Sequence, residues 1–264
     1  MSSTSTASVA PVAASVAHIR RETDRFVQVA ARSPLDVHVP AYPAFTVETM
    51  SGHIGRLLRL FHGILAGHTV TPDRLPQAPA GGSVIEWVCD AVEPLIKLIE
   101  RVDPDQLVPF PHDAGDRPAR LVGASLAVEI GVHRWDVESV LGDHVSTPLD
   151  LALSEIETVF ANFVPRLANS GVAPIGGTVN LQATDAGTIW GVSVESGRLV
   201  PAQLPDGAPD ADVTVSATAE DLALVVWKRA LPPRAGVQVS GNEDVLRRFL
   251  VTNYIPDPRT TPAH

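Results

Sequence analysis

At Gly176 the spacing of apolar residues along this chain changes from the period of a helix to that of a strand, so two architectures must share one polypeptide. Upstream, Val16, Ile19, Phe26, Val27 and Val29 space a helix over residues 15–31. Thr46 offers an N-cap and Glu48 a first-turn acid for a second helix carrying Met50, Ile54, Leu57, Leu58, Phe61 and Leu65, which Gly67 closes. Ser83 with Glu86 reads as a capping box opening a third helix, in which Pro94 is expected to cause a kink or an early stop. A fourth spans about 118–141 with Gly142 at its end, and Pro148 starts a fifth that reaches about Asn169. The segment SPLDVHVPAYPAF reads as an extended connector, and residues 103–117 as a long loop.

Downstream, TVNLQATD, IWGVSVES, RLVPAQL, DVTVSAT and GVQVSG read as strands. Thr218 with Asp221 caps one helix among them, and Asn242 caps a last one ending near Tyr254. The expected fold class is therefore α then α+β. A loose tail over 1–14 precedes a helical bundle over 15–171, a small α+β domain over 172–255 and a second loose tail over 256–264.

Acidic residues outnumber Lys and Arg by 30 to 20, and a net charge of −10 repels nucleic acid and anionic membrane surfaces. No apolar run approaches the roughly 20 residues that span a bilayer. The Ser/Thr/Ala-rich N-terminus lacks the basic start and dense apolar core of a secretory signal. A single cysteine, Cys89, excludes an intrachain disulfide and fits a reducing cytoplasm. Its apolar helical context, EWVCDAVEPL, reads as a buried structural thiol rather than a nucleophile.

The chemistry concentrates in EIGVHRWDVE. Glu129 and His133 are four residues apart, so on a helix both leave the same face as two ready ligands for a divalent metal, zinc foremost. An amphipathic helix with an incidental acid and imidazole has the same spacing. Asp136 could accept the second imidazole N–H or pair with Arg134. His53, in TVETMSGHIGRLLRL, is the best third ligand, although a core histidine would look alike; His62 falls on another face. Three protein ligands leave a position open, as in catalytic zinc sites.

Thr46, Val47 and His53 in a T-V-x-x-x-x-x-H helix start resemble the mycothiol-dependent maleylpyruvate isomerase family. So do Glu129, His133, Arg134, Trp135 and Asp136 in E-x-x-x-H-R-W-D, and the P-L-D-L-A-L-S-E-I-E stretch at 148–157. The likeness runs from about Ser15 to Tyr254. It implies a DinB-like four-helix bundle followed by a small α+β domain related to sterol-carrier proteins. It implies zinc held by His53, Glu129 and His133, with mycothiol or a similar low-molecular-weight thiol as cofactor. Arg229, or failing it Arg234, would bind a small anionic or electrophilic substrate, although a charge at a helix end has a bland use in offsetting the dipole. The implied reaction is cis–trans isomerisation of an unsaturated keto acid of the maleylpyruvate type, or S-transfer to an electrophile, by a monomer or homodimer. The alternative is a non-catalytic binding protein whose metal is structural or absent. The chain departs from the family at Tyr42-Pro43-Ala44-Phe45, where members often carry Pro-Gly-Trp, a change expected to reshape the pocket rim.

Overall fold

The computed structural model describes residues 11–68, 70, 74–110, 115–163, 176–195, 198–205 and 209–252, and its chain divides into two units after Val145. In the first unit the helices are α1 (Val12–Arg32), α2 (Val47–Leu65), α3 (Ser83–Ile99) and α4 (Arg120–Glu138). Helix α1 packs on α4 and α3, and α2 packs on α3 and α4, so each helix has two neighbours and the four close into a bundle. Ile19, Phe26, Met50, Ile54, Leu58, Leu95, Ile96, Leu126 and Ile130 are fully buried between them. Each such side chain contributes about 1.5–3 kcal/mol of apolar burial. Packing is tight where α2 meets α3: a Cβ on Gly55 would lie 2.4 Å from the Trp87 ring, which also carries the Arg59 guanidinium 3.8 Å from its centroid.

Helix α4 is buried nearly all round, which obliges every polar residue on it to find a partner. Before α2, strands β1 (His38–Val39) and β2 (Tyr42–Thr46) turn the expected extended connector into a hairpin. Strands β3 (Leu107–Pro109) and β4 (Asp116–Pro118) do the same within the expected loop at 103–117, of which 111–114 lie outside the described residues.

Thr46 caps α2 and Glu48 lies in its first turn, both as expected; Thr49 reciprocates the cap, and the Glu48 carboxylate accepts from the Gly81 N–H at 2.5 Å. Expectations for α3 change. Helix α3 is preceded by Gly82 without a side-chain cap, because the Ser83 hydroxyl donates to the Ala80 carbonyl instead; the helix runs unbroken through Pro94. Cys89 is exposed rather than buried, since it lies off the stripe formed by Val84, Val88, Ala91, Leu95 and Ile99. Partial desolvation and neighbouring Asp90 raise its pKa, so it is still a poor nucleophile.

The second unit opens with α5 (Leu149–Thr158), continued by a π-helical turn at Val159–Phe163. Strands β5 (Val179–Ala183), β6 (Thr188–Glu195), β7 (Arg198–Leu204), β8 (Val213–Ala217) and β9 (Gln238–Gly241) form one sheet in the order β7-β6-β5-β8-β9. Only the β5–β8 pairing in it is parallel. Helices α6 (Ala219–Val226) and α7 (Glu243–Thr252) complete the unit, with Thr218 and Asn242 at their starts. The boundary expected near residue 172 falls instead at 145/146, because α5 packs on α6 and the Trp227 indole N–H donates to the Glu155 carbonyl at 3.1 Å. Residues 164–175, residues 1–10 of the tail expected over 1–14, and the tail expected over 256–264 lie outside the described residues, and α1 already begins at Val12. Among the described residues no helix is long and apolar enough to cross a membrane.

Candidate metal centre

Helices α2 and α4 are neighbours, and their contact brings His53 and His133 together: the ring centroids are 5.0 Å apart and the planes nearly perpendicular. One turn before His133, Glu129 directs Oε2 to within 3.8 Å of His133 Nε2. On its other side the ring meets Asp136, whose Oδ2 lies 3.0 Å from Nδ1. A carboxylate only accepts, so the ring proton belongs on Nδ1 and the Nε2 lone pair faces Glu129. The expected role of Asp136 as acceptor for the second imidazole N–H is thus present in the geometry.

His53 is held neutral. Burial is the main cause, the proximity of His133 and the charge of Arg56 add to it, and together they lower its pKa to about 3 against an opposing pull from Asp136. An imidazole that stays unprotonated at ordinary pH keeps a lone pair for a metal.

Two nitrogens and one carboxylate oxygen suit zinc in donor type. Two ligands about 2.1 Å from a tetrahedral ion lie about 3.4 Å apart, so the Glu129–His133 separation is a few tenths of an ångström wide. Among the described residues no three such side chains, as placed, gather closely enough to hold an ion; the three stand as two adjoining pairs. In donor type the set fits zinc, and its Glu129–His133 pair stands within a few tenths of an ångström of the spacing zinc requires.

The remaining letters of the α4 motif have other partners. Arg134, 1% exposed, donates Nε to Glu22 Oε2 at 2.8 Å and Nη1 to Glu138 Oε2 at 2.6 Å. Burial alone would raise the Glu138 pKa, but hydrogen bonds from Arg25 and Arg134 and the approach of His144 overcome it and hold it at about 2. Trp135 stacks on His144 with centroids 4.4 Å apart.

Arg229 belongs to the second unit. It follows α6 through Lys228, a non-glycine residue at φ 60°, where the N–H groups of Arg229 and Ala230 both donate to the Leu224 carbonyl. The Arg229 side chain is half-buried and donates to the Trp227 carbonyl at 2.9 Å; Arg234 pairs with Asp221 at 3.1 Å. The structure therefore brings His53, Glu129 and His133 together within one unit, with Arg229 in the other.

Two residues at this site were not singled out as functional by sequence reasoning. Tyr42 lies 6.5 Å from the His133 ring and Phe45 5.6 Å from the His53 ring. The departure from the family pattern at residues 42–45 was the available signal.

Comparison with known proteins agrees with this layout. Residues 16–138 match the mycothiol maleylpyruvate isomerase N-terminal domain, and residues 150–248 match the C-terminal domain of the same family. A crystal structure of the mycothiol-dependent maleylpyruvate isomerase superposes with a TM-score of 0.56 at 14% identity, covering 88% of this chain and 93% of that one. A histidine-to-alanine mutant of that isomerase gives the same values. At this identity the likeness concerns the fold. No curated protein matches the sequence.

Proposed function

Since the chain belongs to the mycothiol-dependent maleylpyruvate isomerase family, we propose that it is a zinc-dependent enzyme that uses mycothiol or a similar small thiol. His53, Glu129 and His133 would hold the ion, and the observation that carries this reading is the convergence of two imidazoles and a carboxylate on adjoining helices. When bound, zinc would supply an open position at which a thiol is deprotonated and made nucleophilic. The reaction would be either reversible addition to the double bond of a maleylpyruvate-type acid, with rotation before the thiol departs, or thiol transfer to an electrophilic carbon.

The protein's own contributions follow from its geometry. Asp136 fixes the tautomer and the plane of His133, so its free lone pair is aimed before any ligand arrives. Burial keeps His53 unprotonated for the same purpose. Glu129 is 26% exposed and brings the negative charge that offsets part of a divalent ion. Arg229 is the candidate for orienting a substrate carboxylate through the paired N–H groups of its guanidinium.

The competing reading, a non-catalytic binding protein, draws on the gap between Glu129 and His133. Metal content of untagged protein decides between them, measured for wild type, His53→Ala and Glu129→Gln. About one zinc per chain, lost in both variants together with thiol-dependent turnover of an unsaturated acid, is expected from three ligands leaving one position open. Wild type that takes up no zinc from solution would overturn the enzyme reading.

A further inference from the structure

We propose that Tyr42 and Phe45 are specificity-determining residues: they form an aromatic wall beside His53 and His133 that selects a substrate carrying a flat aromatic group. This rests on the metal and thiol reading above and narrows its substrate class. In a regular strand, residues three apart point to opposite faces, so Tyr42 and Phe45 should diverge. They converge instead, with ring centroids 5.0 Å apart in an edge-to-face arrangement. The reason is a break in the β1–β2 register: His38 pairs with Thr46 and the next residue, Val39, pairs with Tyr42. Residues 43–45 bulge out of the ladder, the device by which strands re-aim side chains next to sites.

The bulge is held from both ends. His38 Nδ1 donates to the Pro43 carbonyl at 2.8 Å, a bond that takes up the acceptor of a residue with no N–H of its own. The Ala41 N–H donates to Ser139 Oγ at 3.0 Å, and that hydroxyl donates at 2.6 Å to the carbonyl of Asp136, the residue that orients His133. The wall is thereby tied to the same turn of helix as the metal ligand. Both rings are buried, at 7% and 8% exposure, each against one of the two histidines. Aliphatic side chains would serve for burial alone. A ring edge set against a ring face offers a third aromatic ring the same geometry on the substrate side.

The test uses the zinc-loaded full chain and calorimetric binding of two probes, the S-benzyl and S-methyl conjugates of mycothiol. Wild type is expected to bind the benzyl conjugate about tenfold more tightly, the scale of one good aromatic pair. Tyr42→Leu and Phe45→Leu should each bring the two affinities to within about twofold through the benzyl conjugate alone, and Tyr42→Phe should keep the preference. Equal affinities in wild type, binding of neither probe, or equal weakening of both in the leucine variants would each overturn the proposal while leaving the metal site intact. Wild type that retains no zinc would overturn the underlying reading and this one with it.

Discussion

His133 and Arg134 are consecutive on α4, and their surroundings differ in kind. Arg134 sits between Glu22 and Glu138, also donates to the Val145 carbonyl at 2.6 Å, and shares Glu138 with Arg25 at 2.7 Å. Two cations meet two anions there, and Glu22, Arg134 and Glu138 are each at most 1% exposed. Nearly all hydrogen-bonding capacity is used: among the described residues the one buried carboxylate oxygen without a hydrogen bond is Glu22 Oε1, which has Arg21 at 3.5 Å. His133 is engaged on one nitrogen, while the other stands 3.8 Å from Glu129, too far for a hydrogen bond. A buried polar cluster that has consumed its bonding capacity is architecture. One that is oriented yet keeps a lone pair, a second imidazole and a carboxylate within reach is equipped for a ligand.

The largest expected effect falls on the architectural side. Arg134→Leu leaves two buried carboxylates short of their shared cation and should cost about 3–5 kcal/mol in urea unfolding, with zinc affinity of the folded fraction unchanged. A loss below about 1 kcal/mol would place this network with ordinary surface pairs and remove the contrast. Asp136→Asn acts on the other side, since it preserves shape but removes the charge that holds the proton on Nδ1. Zinc affinity by chelator competition should fall about 10–100-fold, with less stability lost than in Arg134→Leu. Unchanged affinity would mean that Asp136 does not set the His133 tautomer.

How far the sequence reveals this contrast depends on distance along the chain. Glu129, His133 and Asp136 are legible because helical periodicity alone puts residues three and four apart on one face, and Glu138 lies four beyond Arg134 by the same rule. Glu22 is not legible, because it reaches Arg134 from another helix across 112 residues and no local pattern encodes which helices adjoin. The convergence of Tyr42 and Phe45 is hidden for a different reason. Strand alternation predicts the opposite, and the bulge that overrides it depends on a hydrogen bond donated by His38 and one accepted by Ser139. The partnership of α5 with α6 is equally invisible, since periodicity shows that a helix has an apolar face without saying what covers it. Cys89 could have been placed correctly by counting its position against the apolar stripe of α3.

The smallest expected effect tests whether the buried network depends on its centre or its rim. His144 approaches Glu138 Oε2 at 3.7 Å, stacks on Trp135, and keeps 35% of its side chain in solvent. Screening limits what such a contact contributes, and Glu138 retains Arg25 and Arg134 without it, so His144→Ala should cost less than about 1 kcal/mol at pH 7. The pH dependence has a definite sign. A carboxylate held at about 2 in the folded chain, below its ordinary 4.5, contributes stability that is complete above pH 4.5 and is lost as pH falls through 2. Loss of His144 removes one of the contacts that hold Glu138 low, so its folded pKa should rise toward the ordinary value. The stability difference between wild type and variant should then narrow as pH falls from 4.5 through 2 and close only below that, where Glu138 is protonated in both. A cost above about 2 kcal/mol, or a difference that widens in acid, would show that the rim holds the network together. In that event the Trp135–His144 stack would rank with Arg134 as structure, and the division between the two faces of α4 would have to be drawn elsewhere.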